Sequence, residues 1–178
     1  MRNYQNRTRW CATLLCGCLA IGVTVGAAPS PKQDNDDEAK QTAFAKEFWE
    51  YLQKVDYQEE WSRWPGQDQE FTEGTSPHGA FLKVYVNATV AGNLEDPPVK
   101  SIIIKENYDE DKELVAITPM YKVSEDYDPE NDNWYWAKYK PDGTLFEKDG
   151  IKISGKVKGC IECHSSAEGG DYIFTNDD

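Results

Sequence analysis

Apolar positions recur at helical spacing over residues 37–55, where Phe44, Phe48, Leu52 and Val55 form a stripe flanked by Trp49 and Tyr51. That pattern predicts an amphipathic helix, and the acidic residues at its start suit the positive end of a helix dipole. A short second helix is predicted over residues 58–63, ending at Pro65-Gly66. The period then falls to two. Residues 81–87 are rich in β-branched and aromatic side chains, with Phe81, Lys83 and Tyr85 on one face and Leu82, Val84 and Val86 on the other. Further strands are predicted over residues 100–108, 113–123 and 134–140, and a turn at Pro141-Asp142-Gly143 leads into another over 144–148. Short connections between successive strands require antiparallel pairing. The predicted fold class is α+β: N-terminal helices packed on an antiparallel β-meander, followed by a short helical turn that carries Cys160 to His164.

The first residues belong to a different kind of segment. Arg2, Arg7 and Arg9 precede an apolar run from Trp10 to about Gly26, and Val25-Gly26-Ala27 supplies small residues for a signal peptidase. A signal peptide over residues 1–28, cleaved after Ala27 or Ala28, is expected, and with it a periplasmic or otherwise exported protein. The run is too short and too rich in small residues for a permanent membrane span, so no membrane association is expected after cleavage. Leu15-Cys16-Gly17-Cys18 offers a weaker lipoprotein alternative, anchored at Cys18, but the apolar run continues past the point where a lipobox ends it. Residues 29–37 read as an acidic linker and residues 38–178 as one domain, long enough for a single core.

Removing the leader changes two balances. It carries three of the 19 basic residues and none of the 32 acidic ones, so the net charge moves from −13 to −16. Such a surface repels nucleic acid and favours basic partners, an electron-carrier protein among them. The five cysteines fall to two, Cys160 and Cys163, which excludes a disulfide framework.

Those two lie in Cys160-Ile161-Glu162-Cys163-His164, the C-x-x-C-H attachment pattern of c-type haem. Each thiol adds across one haem vinyl group, and the histidine becomes an axial ligand of the iron. A zinc site would need about four ligands, and the only other histidine is His78. A thioredoxin-like pair would follow a strand in a βαβ unit, which the meander does not offer. One covalent haem c is therefore expected, bound by Cys160 and Cys163 with His164 on the iron. No methionine follows the motif, unlike in small helical electron carriers, and the body is rich in strands.

Several separate segments resemble the cytochrome P-460 family. They are Trp61-Ser62-Arg63-Trp64-Pro65-Gly66; Pro77-His78-Gly79-Ala80-Phe81-Leu82-Lys83-Val84-Tyr85-Val86-Asn87; Ile104-Lys105-Glu106-Asn107-Tyr108; Met120-Tyr121-Lys122; Trp134-Tyr135-Trp136-Ala137-Lys138-Tyr139; and the haem motif with Asp171-Tyr172-Ile173-Phe174-Thr175. The resemblance runs from about Trp49 to Thr175. It implies a helix-plus-antiparallel-sheet domain shared with the cytochromes c′-beta. It also implies one of two chemistries: hydroxylamine oxidation with a lysine cross-linked to the haem, or nitric oxide binding at a five-coordinate iron without that link. The stretch where the family's lysine is expected, Ala88-Thr89-Val90-Ala91-Gly92-Asn93-Leu94-Glu95-Asp96, contains none, and Lys83 and Lys100 flank it at other offsets.

The far side of the iron has few candidates: His78, Met120 or a lysine. His78 reads either as a histidine bonded to backbone or propionate, or as a distal group. Met120 reads as core. Trp134, Trp136 and Lys138 share one strand face, Tyr135, Ala137 and Tyr139 the other, and whichever face meets the haem shapes the pocket, with Phe81 and Tyr85 as further candidates. Asp126, Asp128, Glu130 and Asp132 alternate like a calcium loop, but the glycine and the closing glutamate are missing, so a solvated acidic loop is expected. The expected protein is an exported monohaem c-type cytochrome without the lysine cross-link. Its iron, high-spin and five-coordinate or weakly water-bound, binds or turns over nitric oxide or hydroxylamine. The alternatives are a six-coordinate electron-transfer cytochrome using Met120 or His78, and a hydroxylamine oxidase whose lysine link comes from elsewhere. A homodimer is compatible with the sequence.

Overall fold

The computed structural model describes residue 26, residues 38–67 and residues 69–176. The expected signal peptide, the lipoprotein alternative and the acidic linker lie outside the described residues, apart from residue 26. In chain order the elements are α1 (Glu38–Lys54), α2 (Tyr57–Glu60), β1 (Ser62–Arg63), β2 (Thr72–Glu73), β3 (Phe81–Val86), α3 (Ala88–Ala91), β4 (Ile102–Tyr108), β5 (Leu114–Lys122), β6 (Trp134–Ala137), β7 (Glu147–Lys148), β8 (Ile151–Lys152), β9 (Ser154–Gly155) and α4 (Lys158–His164). Among the described residues no helix is long and apolar enough to cross a membrane.

One antiparallel sheet runs β1-β3-β4-β5-β6-β9, with β2 also paired to β3, while β7 and β8 form a separate hairpin. Each face of the sheet buries its own core. On one face the stripe of α1, Phe44, Phe48, Leu52 and Val55, packs on Ile102, Ile104, Tyr121, Tyr135 and Tyr139. Phe48 is fully buried and stacks on Tyr121 at 5.3 Å between ring centres. The Tyr139 hydroxyl donates to the Ala45 carbonyl at 2.7 Å, which ties the sheet to the helix backbone. On the other face Val84, Val86, Ile103, Met120, Trp134 and Trp136 pack against α4 through Cys160 and Ile161, and against Tyr172 and Ile173. The α+β class and the meander therefore hold, and α1 lies on the face opposite the C-x-x-C-H helix.

Two local expectations change, and one stretch with no expected element gains one. The second helix ends at Glu60, and Ser62-Arg63 instead pairs with Val86 and Tyr85 as β1, because β3 has a free edge there whose backbone groups need partners. The strand expected over 144–148 is interrupted. Leu145 bridges Tyr139 and Phe146 N–H donates to the Lys138 carbonyl, but Glu147-Lys148 turns away to pair with Ile151-Lys152. The turn between them, Asp149-Gly150, has positive φ at both residues (53° and 80°), the signature of a tight two-residue hairpin. Finally, the stretch after Asn87 begins with α3, capped where the Asn87 side chain accepts from Val90 N–H at 3.2 Å.

Candidate functional site

Helix α4 carries the whole C-x-x-C-H pattern, so Cys160 and His164, four residues apart, rise from the same helix face. Both thiols are free and both line a cavity of about 1730 Å³ bounded by α4 and the sheet and extending along the β7–β8 hairpin to the start of α1. Burial pushes the Cys160 thiol up to about 11. A thiol held protonated in this way is a poor thiol–disulfide nucleophile, which counts against a redox pair. Among the described residues no cluster of three or more histidine, cysteine or acidic side chains could hold a metal ion by itself.

His164 is 9% exposed, and its Nδ1–H donates to the Tyr172 carbonyl at 2.7 Å. That bond selects the tautomer and leaves Nε2 free as a ligand. The ring is held between Trp136, at 4.7 Å between centres, and Phe174, at 5.3 Å. The carbonyl itself is anchored from the preceding residue. The Asp171 carboxylate takes Lys122 Nζ at 2.7 and 3.0 Å and Trp134 Nε1 at 3.2 Å. Asp171 and Tyr172 both adopt left-handed backbone, at φ 51° and 63°.

His78, in the turn before β3, also lines the cavity, and its ring centre lies 6.1 Å from that of His164. Its Nδ1 meets Asn107 Oδ1 at 2.8 Å. The Asn107 amide nitrogen faces the Ala116 and Lys105 carbonyls at 3.1 and 2.9 Å, so its oxygen is the acceptor and His78 Nδ1–H the donor. Burial, reinforced by the nearby Lys105 charge, lowers His78 to about 4, and burial also lowers His164. Both rings are neutral near pH 7.

The sheet face that meets the motif is the one bearing Trp134, Trp136 and Lys138. Trp136 and Lys138 line the cavity, whereas Tyr139 and most of Tyr135 belong to the α1 core. The buried Trp136 Nε1 has no hydrogen-bond partner. Met120 is 7% exposed and packs with Trp134 and Trp136 at the cavity wall. Phe81 and Tyr85 do not line the cavity: both point to the opposite face, where Phe81 meets Phe71 and Tyr85 meets Tyr57. Lys83 is on that opposite face too, over the rings of Phe71 and Tyr108, and Lys100 is exposed. In the acidic loop Asp126, Glu130 and Asp132 are exposed as expected, but Asp128 is buried, where it accepts from Asn131 and pairs with Lys156 at 3.4 Å.

Sequence reasoning missed Lys105 and Asn107. They alternate with Ile103 on the cavity face of β4, polar side chains in the middle of an otherwise buried strand. That break in the apolar alternation was the available signal. Lys105 is buried enough for its ammonium to be lowered from the ordinary range. Among the described residues seven lysines line the cavity against two acids, Glu47 and Asp149, although the whole chain carries a net charge of −13.

An antiparallel sheet with a C-x-x-C-H helix on one face and two neutral imidazoles in the cavity beneath it defines an α+β protein of the haem-site class. The chain belongs to the family described as Cytochrome P460, whose signature matches residues 58–175. No curated protein and no solved structure matches it. Membership implies a haem cofactor and a setting in small-nitrogen chemistry. The residues present fit such a group: paired free thiols, an imidazole with Nε2 free, an unpartnered Trp136 Nε1 and cationic side chains for carboxylates.

Proposed function

We propose that the protein is an exported monohaem c-type cytochrome that binds or turns over small nitrogen species such as nitric oxide or hydroxylamine, without a lysine cross-link to the haem. The observation that carries this reading is His164, buried beside two free thiols with Nδ1 bound to a backbone carbonyl and Nε2 free. Cys160 and Cys163 hold the haem by thioether bonds, and His164 ligates its iron. When bound, the haem supplies a redox-active iron with a position for a nitrogen ligand. The Tyr172 carbonyl keeps His164 in one tautomer and orientation and raises its donor strength. Trp136 excludes water from one side of the His164 ring and offers Nε1–H to an acceptor in the cavity. The cavity lysines offer charge to the propionates. Neither Lys83 nor Lys100 lines the cavity and residues 88–96 supply no lysine, so a link at the position the resemblance implies has no donor. Lys105 and Lys138 do line the cavity, and a haem that stays attached in Cys160→Ala/Cys163→Ala would reveal a link from either. The acidic remainder of the surface favours a basic electron carrier as redox partner.

The test is expression of the full chain in a host that matures c-type cytochromes, followed by intact mass and absorption with and without nitric oxide or hydroxylamine. One haem added covalently is expected, lost in the Cys160→Ala/Cys163→Ala variant, together with a spectral change on adding the nitrogen species. An unmodified mass, or a haem spectrum indifferent to both ligands, would end this reading.

A further inference from the structure

His78 and His164 reach the cavity from elements far apart in the chain, one from the turn before β3 and the other from α4. Each ring has committed its Nδ1–H, His78 to Asn107 and His164 to Tyr172. Each therefore keeps one lone pair, on Nε2, and neither has a proton to give the other there. With their Nδ1–H groups committed elsewhere, both rings have only a lone pair left to offer, which is the donor set of a pair of metal-ligating imidazoles. The spacing supports the same conclusion. Two metal–imidazole bonds of about 2 Å, with about 1.1 Å from each nitrogen to its ring centre, separate the centres by about 6.2 Å. The observed separation is 6.1 Å, with the ring planes 84° apart. A nitrogen species held between the iron and a hydrogen-bonding His78 would need about 3 Å more.

We infer that His78 is the second axial ligand of the iron in the resting protein, with Asn107 as the residue that positions it. This rests on the haem reading above and changes its resting state from five-coordinate to bis-histidine. Asn107 is 1% exposed, and its amide is held by the Ala116 carbonyl at 3.1 Å and Thr118 Oγ1 at 3.0 Å, so its oxygen is fixed before His78 arrives. The arrangement matches the outer partner that orients metal-bound histidines. A small nitrogen ligand then reaches the iron only by displacing His78, and the free energy of that bond sets the threshold for binding.

The experiment uses the full chain with haem attached and reads the ferric absorption and electron paramagnetic resonance spectra. The wild type is expected to be low-spin, with the strongly anisotropic signal of near-perpendicular imidazole planes. His78→Ala should be high-spin, should regain the low-spin spectrum on adding imidazole, and should bind nitric oxide at least about tenfold faster. Met120→Leu should match the wild type. Asn107→Leu should give a low-spin and high-spin mixture with His78 still present. High-spin wild-type iron, or a low-spin spectrum that survives His78→Ala, overturns the assignment. If His78→Ala does not fold, a methionine-to-iron band that disappears in Met120→Leu overturns it, and its absence from low-spin wild type supports it. Absence of covalent haem defeats the haem reading first and this inference with it.

Discussion

Asp171→Ala probes the support behind His164 without touching the haem-binding residues. The Asp171 and Lys122 side chains are 9% and 12% exposed, and the carboxylate receives two bonds from Lys122 and one from Trp134. Truncation removes those acceptors and strands an ammonium in a nearly closed site, a class of change that costs about 3–5 kcal/mol. Lys122 keeps its contact with the Trp134 ring, at 5.3 Å, which returns about 1 kcal/mol. The expected loss is therefore about 2–4 kcal/mol by urea unfolding followed by far-UV circular dichroism. The pair itself is no great stabiliser, since burial raises the Asp171 carboxyl even with Lys122 beside it. Hence Lys122→Met/Asp171→Ala should recover about half of the loss, because the stranded charge is gone. A second readout is local. The left-handed turn at Asp171 and Tyr172 places the carbonyl that accepts from His164, so the His164 Nδ1–H resonance should broaden or shift in the single variant. An Asp171→Ala protein within about 0.5 kcal/mol of wild type, or a double variant no better than the single one, would refute the reasoning.

Three other outcomes follow from the packing. Burial holds the phenols of Tyr57, Tyr108, Tyr127, Tyr135 and Tyr139 well above their ordinary range, with Glu106 adding to the effect at Tyr57 and Tyr108. Their folded values exceed the unfolded one, so this stability is fully present below about pH 10 and is lost as pH rises, by about 1.4 kcal/mol per pH unit for each phenol. Phenolate absorbance and circular dichroism should change together in alkaline titration, and reversible ionisation of all five in a folded protein would contradict this. Gly79→Ala would bring a Cβ to 2.2 Å from the Tyr108 carbonyl oxygen, so β3 and β4 must part and His78 must shift. A loss of about 1–3 kcal/mol is expected in urea, and an unchanged midpoint would show the contact to be soft. Phe48→Ala removes a fully buried ring stacked on Tyr121 and edge-on to Tyr135, with an expected cost of about 3–5 kcal/mol, while a loss below about 1 kcal/mol would place the α1 core elsewhere.

Much of the fold was legible because its signals are local. Phe44, Phe48, Leu52 and Val55 meet one face because 3.6 residues make a turn, and strands β3 to β6 announce themselves by β-branched and aromatic runs. Shorter pieces were not legible. Ser62-Arg63 is a strand only because β3 offers a free edge, and the Asp149-Gly150 hairpin was hidden inside a polar run. At the site, Cys160, Cys163 and His164 were legible because five adjacent residues specify the attachment chemistry. His78 could be nominated but not placed, and Asn107 and Lys105 stood in a segment resembling the family and broke the apolar alternation of β4 without a pattern that names a role.

By itself, then, the sequence determined what repeats or adjoins along the chain: the helix stripe, the strand alternation, the C-x-x-C-H pattern and the absence of a lysine in residues 88–96. Alternation divides each strand into two faces but does not say what covers either one. Only the tertiary structure decided that α1 closes the Tyr121–Tyr135–Tyr139 face, leaving Trp136, Lys105 and His78 to line the cavity under α4, with Asn107 behind His78. The reason is that two apolar surfaces compete for one partner helix, and burial is settled by long-range packing. The same packing brings His78 to 6.1 Å from His164 and gives each ring an oxygen for its Nδ1–H, an arrangement between residues far apart that no local pattern encodes.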